Sequence, residues 1–305
     1  MTRVLALLLL ALGACAPRGA ESEAEPDRPL VVSTTTMLAD AAMQIAGDAA
    51  EVRCLLSPGA DPHLYQPRPS DSSTIAQADL VITSGLGLEG WVDELIDGAG
   101  GGASRLVATE GIEPLRHPDY PEVGDPHFWF DLQRWAQAAS NVEAALLEVV
   151  AEDAQSGVQE RAAAYRDEII ALHTWGVERI ASIPEAKRTL ITSHDAFYYF
   201  SETYGIEVRG LQGITTEQQP SQRDVAQTIE LVRASGVAAV FVETSVNPTA
   251  IERVASEAGV AVAGPLHSDS IGAPDTPAGT FAGMFVENVR MIVEGLGGEW
   301  EAPGA

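Results

Sequence analysis

From Val158 to Ile183 the chain contains no proline and a single glycine, Gly176. The stretch is rich in Ala, Glu, Arg and Ile, and Pro184 ends it. Proline is what most reliably breaks a helix interior, so this span predicts one helix of about 25 residues, roughly 37 Å at 1.5 Å per residue. A rod of that length runs the full length of a domain. On either side of it the same rhythm appears. Before it, β-rich runs at Leu30–Thr35, Val52–Ser57 and Leu80–Ser84 alternate with apolar-periodic stretches at Met37–Ala46 and Leu132–Val150, the latter with Asp131 as its N-cap. After it, strands at Thr189–Ser193, Ala238–Val242 and Val260–Leu266 alternate with helices at Ala196–Tyr204, Pro248–Ala258 and Gly279–Leu296. Alternation of this kind predicts an α/β fold: two lobes with parallel sheets flanked by helices, joined by one long rigid helix. The expected divisions are an N-terminal lobe at 30–157, the linking helix at 158–183 and a C-terminal lobe at 184–305. A single helix between lobes restrains hinge motion more than flexible strands would.

Within this frame one tripeptide occurs twice, as Asp61-Pro62-His63 and as Asp125-Pro126-His127. Each places an imidazole just after a proline-stiffened turn that cannot continue a helix. Neutral imidazole is the commonest protein metal ligand, and the chain has only six histidines. In the second half, His194 follows the strand Thr189–Ser193, and His267 and Asp269 follow the last strand. Ligands of open α/β sheets bind beyond the carboxyl ends of strands, so these groups predict one metal at the seam between lobes. Glu243, after the strand Ala238–Val242, is a candidate for orienting a ligand histidine, and His267 a candidate neighbour of Asp269. His117, in a proline-rich loop, and His173, within the long helix, read as solvated structural residues.

The N-terminus reads as a targeting signal. Arg3 precedes an apolar run from Val4 to Leu12, too short to span a bilayer, followed by Gly13-Ala14-Cys15. Residues 1–14 are expected to be a signal peptide and Cys15 a lipidation site, with residues 15–29 a flexible leash rich in Glu, Pro, Arg and Ala. No later segment is apolar enough to span a membrane. Cys54, the only other cysteine, reads as a buried small hydrophobe. The formal charge is −26, and Lys187 is the only lysine. Such acidity argues against nucleic acid as a partner, because phosphate binding needs clustered Lys and Arg. It fits a solvated acidic surface, adaptation to high salt, or a field that concentrates cations near a cleft.

The motifs together resemble a family. Pro58-Gly59-Ala60-Asp61-Pro62-His63-Leu64-Tyr65-Gln66-Pro67, followed by Pro69-Ser70-Asp71, is similar to the first metal loop of the zinc/manganese solute-binding lipoproteins of ABC importers. Further resemblance lies in Ala78-Asp79-Leu80, Gly85-Leu86-Gly87-Leu88-Glu89-Gly90-Trp91, Asp125-Pro126-His127-Phe128-Trp129, Thr192-Ser193-His194-Asp195-Ala196-Phe197, Gly210-Leu211-Gln212-Gly213, Val242-Glu243-Thr244-Ser245 and Ser268-Asp269-Ser270. It extends in order from about Leu30 to Leu296. The resemblance implies an extracytoplasmic binding protein, lipid-anchored to a bacterial membrane, that captures Zn2+ or Mn2+ and hands it to a permease and its ATPase. It implies a monomer, and no enzyme. It also implies the ligands: His63 and His127 from the first lobe, His194 and Asp269 from the second. The third position is His here and Glu in a manganese- and iron-binding branch. Zinc importers of the family often carry a His-rich loop before the second ligand, whereas Gly111–Gly124 has only His117 and acidic neighbours.

Three imidazoles and a carboxylate suit tetrahedral zinc; manganese prefers more oxygen, which a bidentate Asp269 could supply. Competition with protons for three imidazoles predicts affinity that falls below about pH 6. The rival readings are a secreted zinc hydrolase and a surface adhesin lipoprotein. A hydrolase needs an open coordination position and a general base, and no His-Glu-x-x-His helix motif is present.

Overall fold

The computed structural model describes residues 28–119 and 121–304. The expected signal peptide, the lipidation site Cys15 and the leash as far as residue 27 lie outside the described residues. In the first half β1 (Leu30–Ser33), β2 (Glu51–Cys54), β3 (Leu80–Thr83) and β4 (Ser104–Val107) form a parallel sheet in the order β2-β1-β3-β4. Helices α1 (Thr36–Ala46), α2 (Pro69–Ile75), α3 (Val92–Ala99) and α4 (Leu132–Val149) connect and cover it. The central strands β1 and β3 are buried at every position, as continuous apolar runs should be when both faces are covered. Edge strand β2 alternates exposed with half-buried residues, which leaves Cys54 half-buried rather than buried as expected.

The long helix α5 runs from Gln155 to Ala181, 27 residues, starting three residues earlier and ending two earlier than its proline-free span. Its one glycine has a packing reason. A Cβ on Gly176 would sit 3.0 Å from the Phe285 ring and 3.3 Å from that of Tyr204, so its absence lets the helix lie against these aromatics.

In the second half β5 (Thr189–Thr192) pairs in parallel with β6 (Glu207–Gly210), and β7 (Ala239–Glu243) with β8 (Ala261–Leu266). Strands β5 and β7 lie against one another. Around them are α6 (Tyr198–Tyr204), α7 (Gln222–Ser235), α8 (Thr249–Ala258) and α9 (Phe281–Leu296). One apolar core runs through both halves. Phe130 stacks on Phe197 with ring centroids 4.4 Å apart, and Trp135 stacks on Phe281 at 4.2 Å. These pairs join residues on opposite sides of α5 in sequence, so the halves share an aromatic seam as well as a linking rod. No helix among the described residues is long and apolar enough to cross a membrane.

Candidate metal centre

Five of the eight strands among the described residues lead at their carboxyl ends into segments that carry the candidate site residues. His63 lies in the loop after β2, His127 in the loop after β4, His194 just beyond β5, Glu243 at the end of β7 and Asp269 beyond β8. The structure brings four of these side chains together. One ligand atom each from His63, His127, His194 and Asp269 lies within 4.8 Å of the others, and all four residues are buried. The His127 and His194 rings are 5.3 Å apart between centroids, and the His63 ring stands 5.5 and 6.0 Å from them.

The converging atoms are the Nε2 of each histidine and Oδ1 of Asp269, and all four are buried with no hydrogen-bond partner. An unsatisfied buried polar atom costs about 1–3 kcal/mol. Four such atoms in one place therefore oppose folding unless something bound repays them. Oδ1 of Asp269 already stands 3.5 Å from His127 Nε2 and 3.6 Å from His194 Nε2. Ligands about 2.1 Å from a tetrahedral centre are about 3.4 Å apart, so these two edges are near coordination length.

Neighbouring groups fix these side chains or the loops that carry them. In both Asp-Pro-His copies the aspartate accepts the backbone N–H of its own histidine at 2.8 Å, closing a tight turn over the proline. Asp125 Oδ1 also touches His127 Nδ1 at 2.8 Å, which leaves Nε2 as the free donor atom. Glu243 does the same for His194: Oε1 accepts the backbone N–H at 2.8 Å, and Oε2 lies 2.5 Å from Nδ1. Asp61 reaches across the seam instead, accepting from Thr216 Oγ1 at 2.5 Å. The first loop is further fixed by Trp91, whose Nε1 donates to the Pro62 carbonyl at 2.9 Å, and by Tyr65, whose ring packs at a tilt against Trp91 and whose hydroxyl donates to Asp71. A Cβ on Gly210 would meet the Asp195 backbone nitrogen at 2.5 Å, so only glycine lets β6 end against the His194 loop.

Charge follows this arrangement. Burial pushes the His63 pKa down to about 3, against the pull of Asp269. Burial also disfavours charge on His127 and His194, but their carboxylate neighbours win. Asp125 and Asp269 raise His127 to about 9, and Glu243 and Asp269 raise His194 well above its ordinary value. Asp269 is held well below the usual carboxylate range by the two imidazoles despite its burial. Both shifts favour the protonated form of His127 and His194 in the absence of metal.

The other candidates separate from the cluster. His267 is half-buried, its backbone N–H is taken by Asn288 Oδ1 on α9 at 2.8 Å, and it makes no hydrogen bond to the four groups. His117 is buried rather than solvated: Nε2 lies 3.4 Å from Asp195 Oδ2, and the ring packs edge-on to Tyr198. Its loop folds onto α6, which the proline-rich sequence did not signal. His173 on α5 contacts Gln133 and Tyr204, a structural role. Asp61, Asp125, Thr216, Ser245 and Ser268 were not foreseen as partners of the ligands. The repeat of aspartate at the same position before both histidines was the available signal for the first two.

Comparison with known proteins agrees with this architecture. Residues 31–295 match the profile of the family described as zinc-uptake complex component A, periplasmic. The chain belongs to this family. The manganese-binding lipoprotein MntA of Bacillus subtilis is 36% identical over 273 residues, covering 87% of this chain and 89% of its own. The zinc-binding protein TroA of Treponema pallidum is 33% identical over 284 residues, covering 91% of this chain and 92% of its own. The solved structure of that periplasmic zinc-binding TroA superposes with a TM-score of 0.84 at 32% identity, covering 88% of this chain and 99% of the other.

Glu243→Gln tests the aiming of His194. Glutamine keeps the shape and an oxygen for the backbone N–H but gives up the carboxylate charge that faces Nδ1. Metal affinity of this variant, by competition titration, should fall about 10- to 100-fold.

Proposed function

We propose that this chain is the extracytoplasmic substrate-binding protein of an ABC importer. It captures Zn2+ or Mn2+ at His63, His127, His194 and Asp269 and delivers the ion to a membrane permease powered by an ATPase. The observation that carries the reading is the convergence of four buried, unpartnered donor atoms, three Nε2 and one Oδ1. Family membership supports it, as do relatives whose names carry zinc and manganese. The metal is cargo rather than a catalyst. Four protein donors close a tetrahedral centre, whereas hydrolytic zinc keeps a position open for water, so the protein is not an enzyme in this proposal.

The proposal extends to the chain's organisation. Residues 1–14 are the signal peptide, Cys15 carries the lipid that anchors the protein to the outer face of a bacterial membrane, and residues 15–29 are the leash. Residues 30–157 and 184–305 are the lobes on either side of the linking segment 158–183, and the protein works as a monomer. Glu243 orients His194 for the metal.

Elemental analysis of protein purified from its native envelope is the direct test. About one equivalent of zinc or manganese per chain is the expected result. A chain free of divalent metal from cells replete in both ions would overturn the reading.

A further inference from the structure

Asp269 offers its two oxygens to different partners. Oδ1 faces the histidines and has no hydrogen-bond partner. Oδ2 accepts from Ser245 Oγ at 2.8 Å and from Ser268 Oγ at 3.0 Å, and the two hydroxyls are themselves 3.0 Å apart. A carboxylate has about four lone-pair directions, two on each oxygen. Two hydroxyl donors therefore saturate Oδ2 and leave Oδ1 as the one oxygen directed at the cluster.

We infer that Ser245 and Ser268 determine the metal preference of the centre by holding Asp269 as a one-oxygen donor. The inference rests on the proposed reading of the cluster as a metal site. With one oxygen from Asp269 the donor set is three nitrogens and one oxygen, the four-coordinate arrangement zinc favours. Manganese prefers more oxygen ligands and higher coordination, and the second oxygen of Asp269 is the nearest source of one.

The hydroxyls are themselves held in place. Ser268 is fully buried, and its carbonyl accepts from Trp129 Nε1 at 2.9 Å. Trp129 follows the second Asp-Pro-His, so the segment that supplies His127 also locks the group that restrains Asp269. Ser245 stands two residues beyond Glu243, so the loop after β7 both aims His194 and restrains Asp269. Two ligands are thus set by one short segment, and a slight shift of it would move both together.

The test compares metal-free wild type with Ser245→Ala, Ser245→Ala/Ser268→Ala and the conservative Ser245→Thr. Zinc and manganese affinities are measured by competition titration, and coordination number by the absorption spectrum of the Co2+ form. In the double variant the ratio of manganese to zinc affinity should rise about tenfold, the size of effect typical of groups that orient metal ligands. Its Co2+ bands should weaken as four-coordination gives way to higher. Ser245→Ala, at a half-buried position, should move both readouts in the same direction by less, and Ser245→Thr should keep wild-type behaviour. An unchanged ratio and unchanged Co2+ spectrum in either alanine variant that still binds zinc would overturn the inference. Wild-type protein that binds neither ion would instead overturn the reading of the site, a failure visible before any substitution.

Discussion

Zinc or manganese in thousandfold excess over Kd should raise the melting temperature of the metal-free protein by roughly 10 °C, and His63→Ala should abolish most of that rise. Binding to the folded state alone stabilises by RT ln(1 + [L]/Kd), about 4 kcal/mol at that excess. For a chain of this size 1 kcal/mol shifts melting by about 2–4 °C. His63 is the cleanest ligand to remove. Burial holds its ring neutral, with a pKa near 3, and its Nε2 has no hydrogen-bond partner, so truncation strands no charge. His194→Ala would be a poor substitute. It would leave Glu243 Oε2 buried without the imidazole it faces, a loss of about 3–5 kcal/mol that obscures the binding term. Calorimetric scans of both proteins with and without metal check this. A His63→Ala protein that keeps the full metal-induced rise would remove His63 from the site.

Much of this architecture was legible in the sequence because its signals are local. The proline-free span around Gly176 marks α5, and the apolar runs Leu30–Ser33 and Leu80–Thr83 mark the covered central strands. Two of the edge strands were harder. Ser104–Val107 and Glu207–Gly210 carry charged, exposed residues because one side of each lacks a neighbour, and nothing in such short runs separates them from loops. Helix α7 was missed although its capping box was visible: Ser221 Oγ accepts the Asp224 N–H, and Asp224 accepts the Ser221 N–H.

The site divides in the same way. The histidines announce themselves by residue type and by the repeated turn. Their partners do not, because Thr216 to Asp61 and Ser245 to Asp269 are contacts across 155 and 24 residues that only the fold creates. The buried state of His117 is of this kind too, since Asp195 reaches it from beyond α5.

Contacts with buried carboxylates move the expected pH window. Three ordinary imidazoles would lose metal only below about pH 6. In the structure, Asp125, Glu243 and Asp269 keep protons on His127 and His194 far above that, with His127 pushed up to about 9. A metal ion must displace these protons. Affinity for zinc should therefore fall by about tenfold per pH unit for each proton displaced as pH drops below about 9, already through neutrality. His63, neutral down to about pH 3, adds no competition there.

The sign for the metal-free protein is opposite. His127 has a folded pKa raised above its unfolded value near 6.5, so its contribution to stability is complete below about 6.5 and is lost as pH rises through about 9. Metal-free melting temperature should fall across that interval while the metal-induced rise grows. Exchange of two protons for one divalent ion also leaves the buried charge unchanged. Titration calorimetry in buffers of different ionisation enthalpy counts the protons directly. Between one and two released per metal at pH 7 is the expected value, since His194 is raised as well. No proton release, with affinity flat from about pH 6 to 8, would mean that the carboxylates do not hold these imidazoles in the charged form.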